Sequence, residues 1–190
     1  RHLSAREVQA CVGPEIFKSY FKFAFIRNPW DRLISYYSGH INKQISFREW
    51  ILTRSFLQTA SEAHESLRPQ HEYLLDEQGN CMVDYIGRVE NFENDCAAIC
   101  RRTGIPFTKQ RKNRSVHRHY SRYYTPEMRT IVEKHFQKDI QLGCYQYETV
   151  SAFENLVREL IVLTRTLQRS TRRMIKRIQR AARGRLRKEE

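Results

Sequence analysis

The stretch from Phe21 to Tyr37 constrains the fold of this chain more than any other. Phe21-Lys22-Phe23-Ala24-Phe25-Ile26 is a short apolar, aromatic run, the pattern of a mostly buried strand. It passes straight into Arg27-Asn28-Pro29-Trp30-Asp31. There Asn28 is a good N-cap, Pro29 suits the first helical position, and Asp31 complements the helix dipole. A strand must therefore hand over to a helix, Trp30 to about His40, with almost no connecting loop. Helix N-termini present N–H groups and a partial positive charge, so such a junction favours an anion. Arg27 stands at the strand exit, where its fork can chelate a phosphate. Ser35 lies eight residues later, about two turns into the helix. The pair converges on one phosphate if the strand exit folds against the helix. The competing reading is a structural Arg27 paired with Asp31.

Other elements follow from local signals. Ser4 and Glu7 form a capping box for a helix from Ala5 to Val12, which Gly13-Pro14 breaks. Ser46 to Glu49 opens a helix reaching about Thr59. Residues 60–72 read as polar and irregular, 73–80 as a short strand entering a turn, and 82–87 as a second strand. Asn91 caps a helix from Phe92 to Thr103, ended by Gly104. After the loop 106–123, Thr125-Pro126-Glu127 starts a helix running to Leu142 and stopping at Gly143. A last helix begins near Ser151. Strands feeding helices define an α/β layered architecture. The compositional boundary falls near Val150, giving a domain over 1–150 and a basic amphipathic helix over 151–190.

Charge sharpens the functional reading. The chain has 34 Lys and Arg against 21 Asp and Glu, a net +13. Residues 151–190 hold 12 of the bases and 4 of the acids, so the tail carries most of the excess. Within the body, no acid occurs between Asp95 and Glu127, an interval that includes Arg111, Lys112, Arg114, His117, Arg118 and His119. A segment this one-sided expects an anion or is a solvated basic surface. The 40% hydrophobic content argues against global disorder. No apolar run reaches the ~18 residues of a membrane span, and no signal peptide is visible. The five cysteines form no CxxC pair and no zinc-like spacing, so no metal is expected. Buried thiols in a reducing, cytoplasmic setting are the simplest account of them, with a disulfide-bearing secretory protein as the alternative.

The segment Arg27, Asn28, Pro29, Arg32, Leu33, Ser35 and Tyr37 resembles the 3′-phosphate-binding motif R-N-P-x-x-R-L-x-S-x-Y of carbohydrate-type and bacterial sulfotransferases. Four further blocks are similar to the same family: His2 to Glu7, Gln70 to Asp76 with Gly79, Asp84 to Phe92, and Tyr123 to Glu127 leading to Leu142-Gly143-Cys144-Tyr145. Together they cover about residues 1–147. The resemblance implies a P-loop-like sulfotransferase fold, a parallel sheet flanked by helices. It also implies sulfuryl transfer from 3′-phosphoadenosine 5′-phosphosulfate to a hydroxyl or amine, with a carbohydrate-like acceptor. By the same resemblance Arg27 and Ser35 hold the 3′-phosphate, and Arg88 supports the cofactor or instead pairs with Glu90 or Asp84. The family's 5′-phosphosulfate loop has no counterpart here. The domain is therefore expected to be N-terminally incomplete, with that loop upstream of Arg1.

In-line transfer needs a base, cations for the developing charge, and alignment. His2 is the candidate base, at a place similar to a family histidine that approaches the acceptor, and His117 is the runner-up. Arg111 and Lys112 are candidates for the cofactor, and Arg114, Arg118 and His119 for an acidic acceptor. In the tail, an apolar stripe at helical spacing begins at Phe153, with a largely basic remainder from Arg165 to Lys188. It fits a coiled-coil or packing helix, a homo-oligomer contact, or an interfacial helix on anionic membrane. The competing function is a non-enzymatic basic module for nucleic acid or anionic membrane. The motif blocks at 21–37 and 84–92 favour a phosphorylated cofactor over nucleic acid.

Overall fold

The computed structural model describes residues 2–41, 45–57, 67–106 and 117–150, and eight helical positions beyond them at 157, 160, 163, 164, 167, 168, 171 and 174. It divides into two compact units, one of residues 1–115 with 120–148 and one of residues 116–119 with 149–190. Arg111, Lys112 and Arg114 lie outside the described residues.

The first unit opens with α1, Ala5–Val12, closed at its N-terminus by the expected capping box: Glu7 N–H donates to Ser4 Oγ at 3.3 Å and Ser4 N–H to Glu7 Oε2 at 2.8 Å. Gly13 breaks the helix at φ 85°, and Pro14 at once starts a second short helix, α2, Pro14–Ser19. Strand β1, Phe23–Ile26, pairs in parallel with β2, Tyr85–Arg88, in the register Phe23↔Tyr85 and Ile26↔Arg88. Both strands are shorter than the apolar runs imply. Lys22 C=O accepts from Asp84 and Tyr85 N–H at 2.8 and 3.2 Å, which marks where the pairing begins. Parallel neighbours need a long crossover, and residues 27–84 supply it with α3, Pro29–His40, α4, Phe47–Leu52, and α5, His71–Leu74.

Three elements differ from the sequence expectation, each for a physical reason. Helix α4 stops at Leu52 rather than near Thr59; Thr53 Oγ1 takes the Glu49 carbonyl at 2.8 Å and Arg54 turns to φ 58°. The supposed strand at 73–80 is helical at its start, because a distant carboxylate, Asp139, caps the N–H groups of Gln70 and His71. Only Leu75 bridges, antiparallel to Cys81, and the Asp76–Asn80 turn follows as expected with Gly79 at φ 86°. The helix after Pro126 is two helices, α7, Pro126–His135, and α8, Gln137–Leu142. Phe136 interrupts them and is itself in the core, 1% exposed. Between β2 and α7, α6 spans Phe92–Thr103 and ends at Gly104 in the left-handed region, φ 71°, as its sequence predicts.

Helix α3 organises the core. Trp30, Leu33 and Ile34, at i, i+3 and i+4, are each 1% exposed and pack with Trp50, Ile51, Met128 and Val132. Burying each such side chain stabilises by roughly 1.5–3 kcal/mol. That fixes the rotation of α3 and leaves Asp31 and Ser35, also four apart, on its other side. Of the cysteines only Cys96 is buried. Cys100 is half-buried, Cys11, Cys81 and Cys144 are exposed, and all five are free thiols. The expectation of five buried thiols is corrected accordingly.

Candidate anion site at the strand exit

At the end of β1 the Arg27 guanidinium donates from Nη1 to Ser35 Oγ at 2.9 Å, and from Nε and Nη2 to Asp31 Oδ2 at 2.8 and 2.6 Å. The structure thus shows the Arg27–Asp31 pairing and also brings Arg27 and Ser35 together. Asp31 orients the fork, and the remaining edge of the fork meets Ser35. A cation and a hydroxyl side by side, each partly accessible, form a donor set suited to a phosphate. The N-terminus of α3 contributes less than its sequence implies. Asn28 Oδ1 already accepts from Trp30 N–H at 3.0 Å and from Asp31 N–H at 3.3 Å. The donors offered at this junction are therefore side chains rather than open helix amides.

The bend that carries Arg27 is fastened by three other segments. Lys22 C=O and Asn28 N–H face β2, so the Arg27 peptide groups, in strand alternation, face the opposite edge. There the Gln70 amide stands in for a neighbouring strand. Its Oε1 accepts from Arg27 N–H and its Nε2 donates to Arg27 C=O, both at 2.8 Å. Gln70 is in turn held by Asp139, which is wholly buried. Asp139 accepts from Gln70 N–H at 2.7 Å, His71 N–H at 2.8 Å and His71 Nδ1 at 2.7 Å, with Arg32 Nη1 at 3.5 Å. Burial lowers the Arg32 pKa, and Asp139 opposes that shift. On the β2 side, Glu90 Oε1 accepts from Asn28 N–H at 2.8 Å and its Oε2 from Tyr145 OH at 3.1 Å. Burial, then the Glu90 carboxylate, pushes the Tyr145 hydroxyl up, so it stays a neutral donor.

Arg88 is exposed at the end of β2, opposite Ile26 in the register. Neither proposed ion-pair partner holds it: Glu90 is engaged as above, and Asp84 pairs with Lys22 Nζ at 2.8 Å. Arg27 follows β1 and Arg88 closes β2, so both stand at the carboxyl end of the parallel pair, the end where α/β sheets take ligands. Asp95 secures that end of β2 from α6, accepting from Arg88 N–H at 2.6 Å, Tyr85 OH at 2.9 Å and Asn91 Nδ2 at 3.1 Å. Burial would raise the Asp95 pKa, but these hydrogen bonds outweigh it and hold the carboxyl below its ordinary value. A depressed folded value means that its stabilisation is full above the unfolded pKa of about 3.9 and is lost as pH falls through the folded value. Urea titrations at about pH 7 and about pH 3 are expected to show a larger loss on acidification for the wild type than for Asp95→Asn. Equal losses would contradict this role.

His2 is exposed and lines a cavity of ≈ 590 Å³ with Lys22, Phe25, Arg32 and Gln70, so it shares a wall with the Arg27 clamp. His117, Arg118 and His119 belong to the second unit, where His117 Nδ1 lies 2.8 Å from the Arg118 carbonyl. Among the described residues no group of three His, Cys, Asp or Glu side chains could hold a metal ion. Sequence reasoning placed Arg27 with Ser35 and included Gln70, Glu90 and Tyr145 only within similar blocks. His71 was included in the same way, within the Gln70 to Asp76 block, whereas Asp139 was missed; its one local signal is that it is the single acid of α8.

Residues 5–148 match the model of the Sulfotransferase family, and the chain belongs to that family. A protein of Archaeoglobus fulgidus, named only as an uncharacterized protein, is similar at 31% identity over 99 residues, which span 50% of this chain and 77% of that one. No solved structure matches the chain. The small parallel sheet with its helices fits the α/β fold of a sulfotransferase.

Proposed function

We propose that this domain binds 3′-phosphoadenosine 5′-phosphosulfate and supports transfer of its sulfuryl group to a hydroxyl or amine of a carbohydrate-like acceptor. The observation that carries the proposal is the Arg27–Ser35 pair, 2.9 Å apart on a bend clamped by Gln70 and Glu90. Arg27 and Ser35 hold the 3′-phosphate, and Arg88, at the same carboxyl end of the sheet, lends a second cation to the bisphosphate. The donor supplies the reactive S–O bond. A new bond forms from the acceptor atom to sulfur, the bond to the 5′-phosphate oxygen breaks, and the acceptor proton passes to a base. His2 is the candidate for that base, since it lines the same cavity as Arg32 and Gln70. Preorganised cations of this kind act chiefly by stabilising developing charge.

The test is a thermal shift with 3′,5′-bisphosphoadenosine. At about 100-fold over its Kd the ligand is expected to stabilise the chain by ~2.7 kcal/mol. Adenosine 5′-phosphate, which lacks the 3′-phosphate, is expected to stabilise it far less. Equal shifts from the two nucleotides, or none from either, would overturn the assignment.

A further inference from the structure

The second unit carries a feature the donor site does not use. Its described positions 157, 160, 163, 164, 167, 168, 171 and 174 are helical and exposed. Val157, Leu160, Leu163, Leu167 and Met174 are between 41% and 58% exposed, and Thr171 Oγ1 donates to the Leu167 carbonyl at 3.0 Å, the back-bond of a helical turn. The spacing alternates three and four. In heptad terms Val157, Thr164 and Thr171 occupy a, and Leu160, Leu167 and Met174 occupy d. The same register continues in the sequence to Ile178 at a, so every a position from 157 to 178 is β-branched. β-Branched a with Leu at d is the preference of a parallel two-stranded coiled coil.

Charge placement selects the occupant. Of the eight Lys and Arg residues between 150 and 181, seven fall at b, c or f, and only Arg177 falls at g. A second copy of the same helix therefore meets the seam without setting cation against cation, although the segment as a whole is strongly basic. We infer that the face formed by Val157, Leu160, Thr164, Leu167, Thr171 and Met174 is a parallel self-association seam, and that the partner covering it is a second copy of this chain. This inference is independent of the donor reading.

Sedimentation equilibrium of the full chain tests it. At about 100 µM the wild type is expected to be dimeric, with the dimer fraction falling on dilution. The double substitution Leu160→Lys with Leu167→Lys is expected to give a monomer whose aromatic near-UV circular dichroism is unchanged. Thr164→Ile with Thr171→Ile, which adds apolar area at a, is expected to tighten the dimer about tenfold or more. A monomeric wild type would overturn the proposal, as would lysine variants that sediment like the wild type. A monomer that floats with phosphatidylcholine–phosphatidylserine vesicles would replace the second copy with a lipid surface.

Discussion

Asp139→Ala is expected to destabilise the domain by roughly 3–5 kcal/mol, the cost of removing one partner from a buried charged cluster. The carboxylate is fully buried and accepts three close hydrogen bonds from Gln70 and His71, with Arg32 beside it. Its loss leaves two backbone N–H groups at the start of α5 without their acceptor and Arg32 in a poorly solvated place. For a chain of this size the melting temperature is expected to fall by on the order of 10 °C. Asp139→Asn keeps one acceptor oxygen and is expected to lose less. Urea denaturation followed by tryptophan fluorescence measures both, since Trp30 and Trp50 are core residues. A loss below about 1 kcal/mol for the alanine variant would show that the cluster does not hold α5 in place.

Arg27→Ala is expected to do the reverse, sparing stability and abolishing recognition of the 3′-phosphate. Its pairing with Asp31 is partly exposed, and such pairs contribute about 0–1 kcal/mol. A charge-assisted contact to phosphate is worth about 1.5–3 kcal/mol. Affinity for 3′,5′-bisphosphoadenosine should therefore drop by roughly 10–150-fold, while affinity for adenosine 5′-phosphate barely changes. Arg27→Lys is expected to fall between, because an ammonium cannot contact Asp31 and the ligand in the fixed fork geometry. Isothermal titration with the two nucleotides reads the result. Unchanged discrimination in Arg27→Ala would remove Arg27 from the site.

What could be read from the sequence was local. The Ser4–Glu7 capping box, the Ser46 cap, the Asn28-Pro29 and Thr125-Pro126 helix starts and the Gly104 stop depend on residues within one turn of each other, and each appears where its pattern predicts. The Arg27–Ser35 pair was legible for the same reason, since both residues belong to one strand–helix junction. The hidden part of the site acts across the chain. Gln70 reaches Arg27, Glu90 reaches Asn28, and Asp139 reaches Gln70, none of which a window of local propensity contains. Helix α5 illustrates the cost. His71–Leu74 lacks a side-chain cap of its own at Gln70, so its residues read as irregular chain passing into a strand at Tyr73, and a carboxylate far along the chain caps it as a helix. The break at Phe136 was likewise invisible, because core burial rather than a Gly or Pro ends α7.

The Gln70 clamp has a consequence for how the site comes into being. Its contacts with Arg27 span 43 residues, those of Glu90 with Asn28 span 62, and those of Asp139 with Gln70 span 69. No fragment containing only the strand–helix motif can hold the bend in its final shape, because the groups that fix it arrive from the far side of the crossover and from α8. Loop closure over such distances is entropically expensive and slow compared with helix formation. The helices can thus form early while the anion site assembles with the last docking events. Under the proposed function, competence to bind the nucleotide reports completed folding, and ligand present during refolding acts on the final step rather than the first.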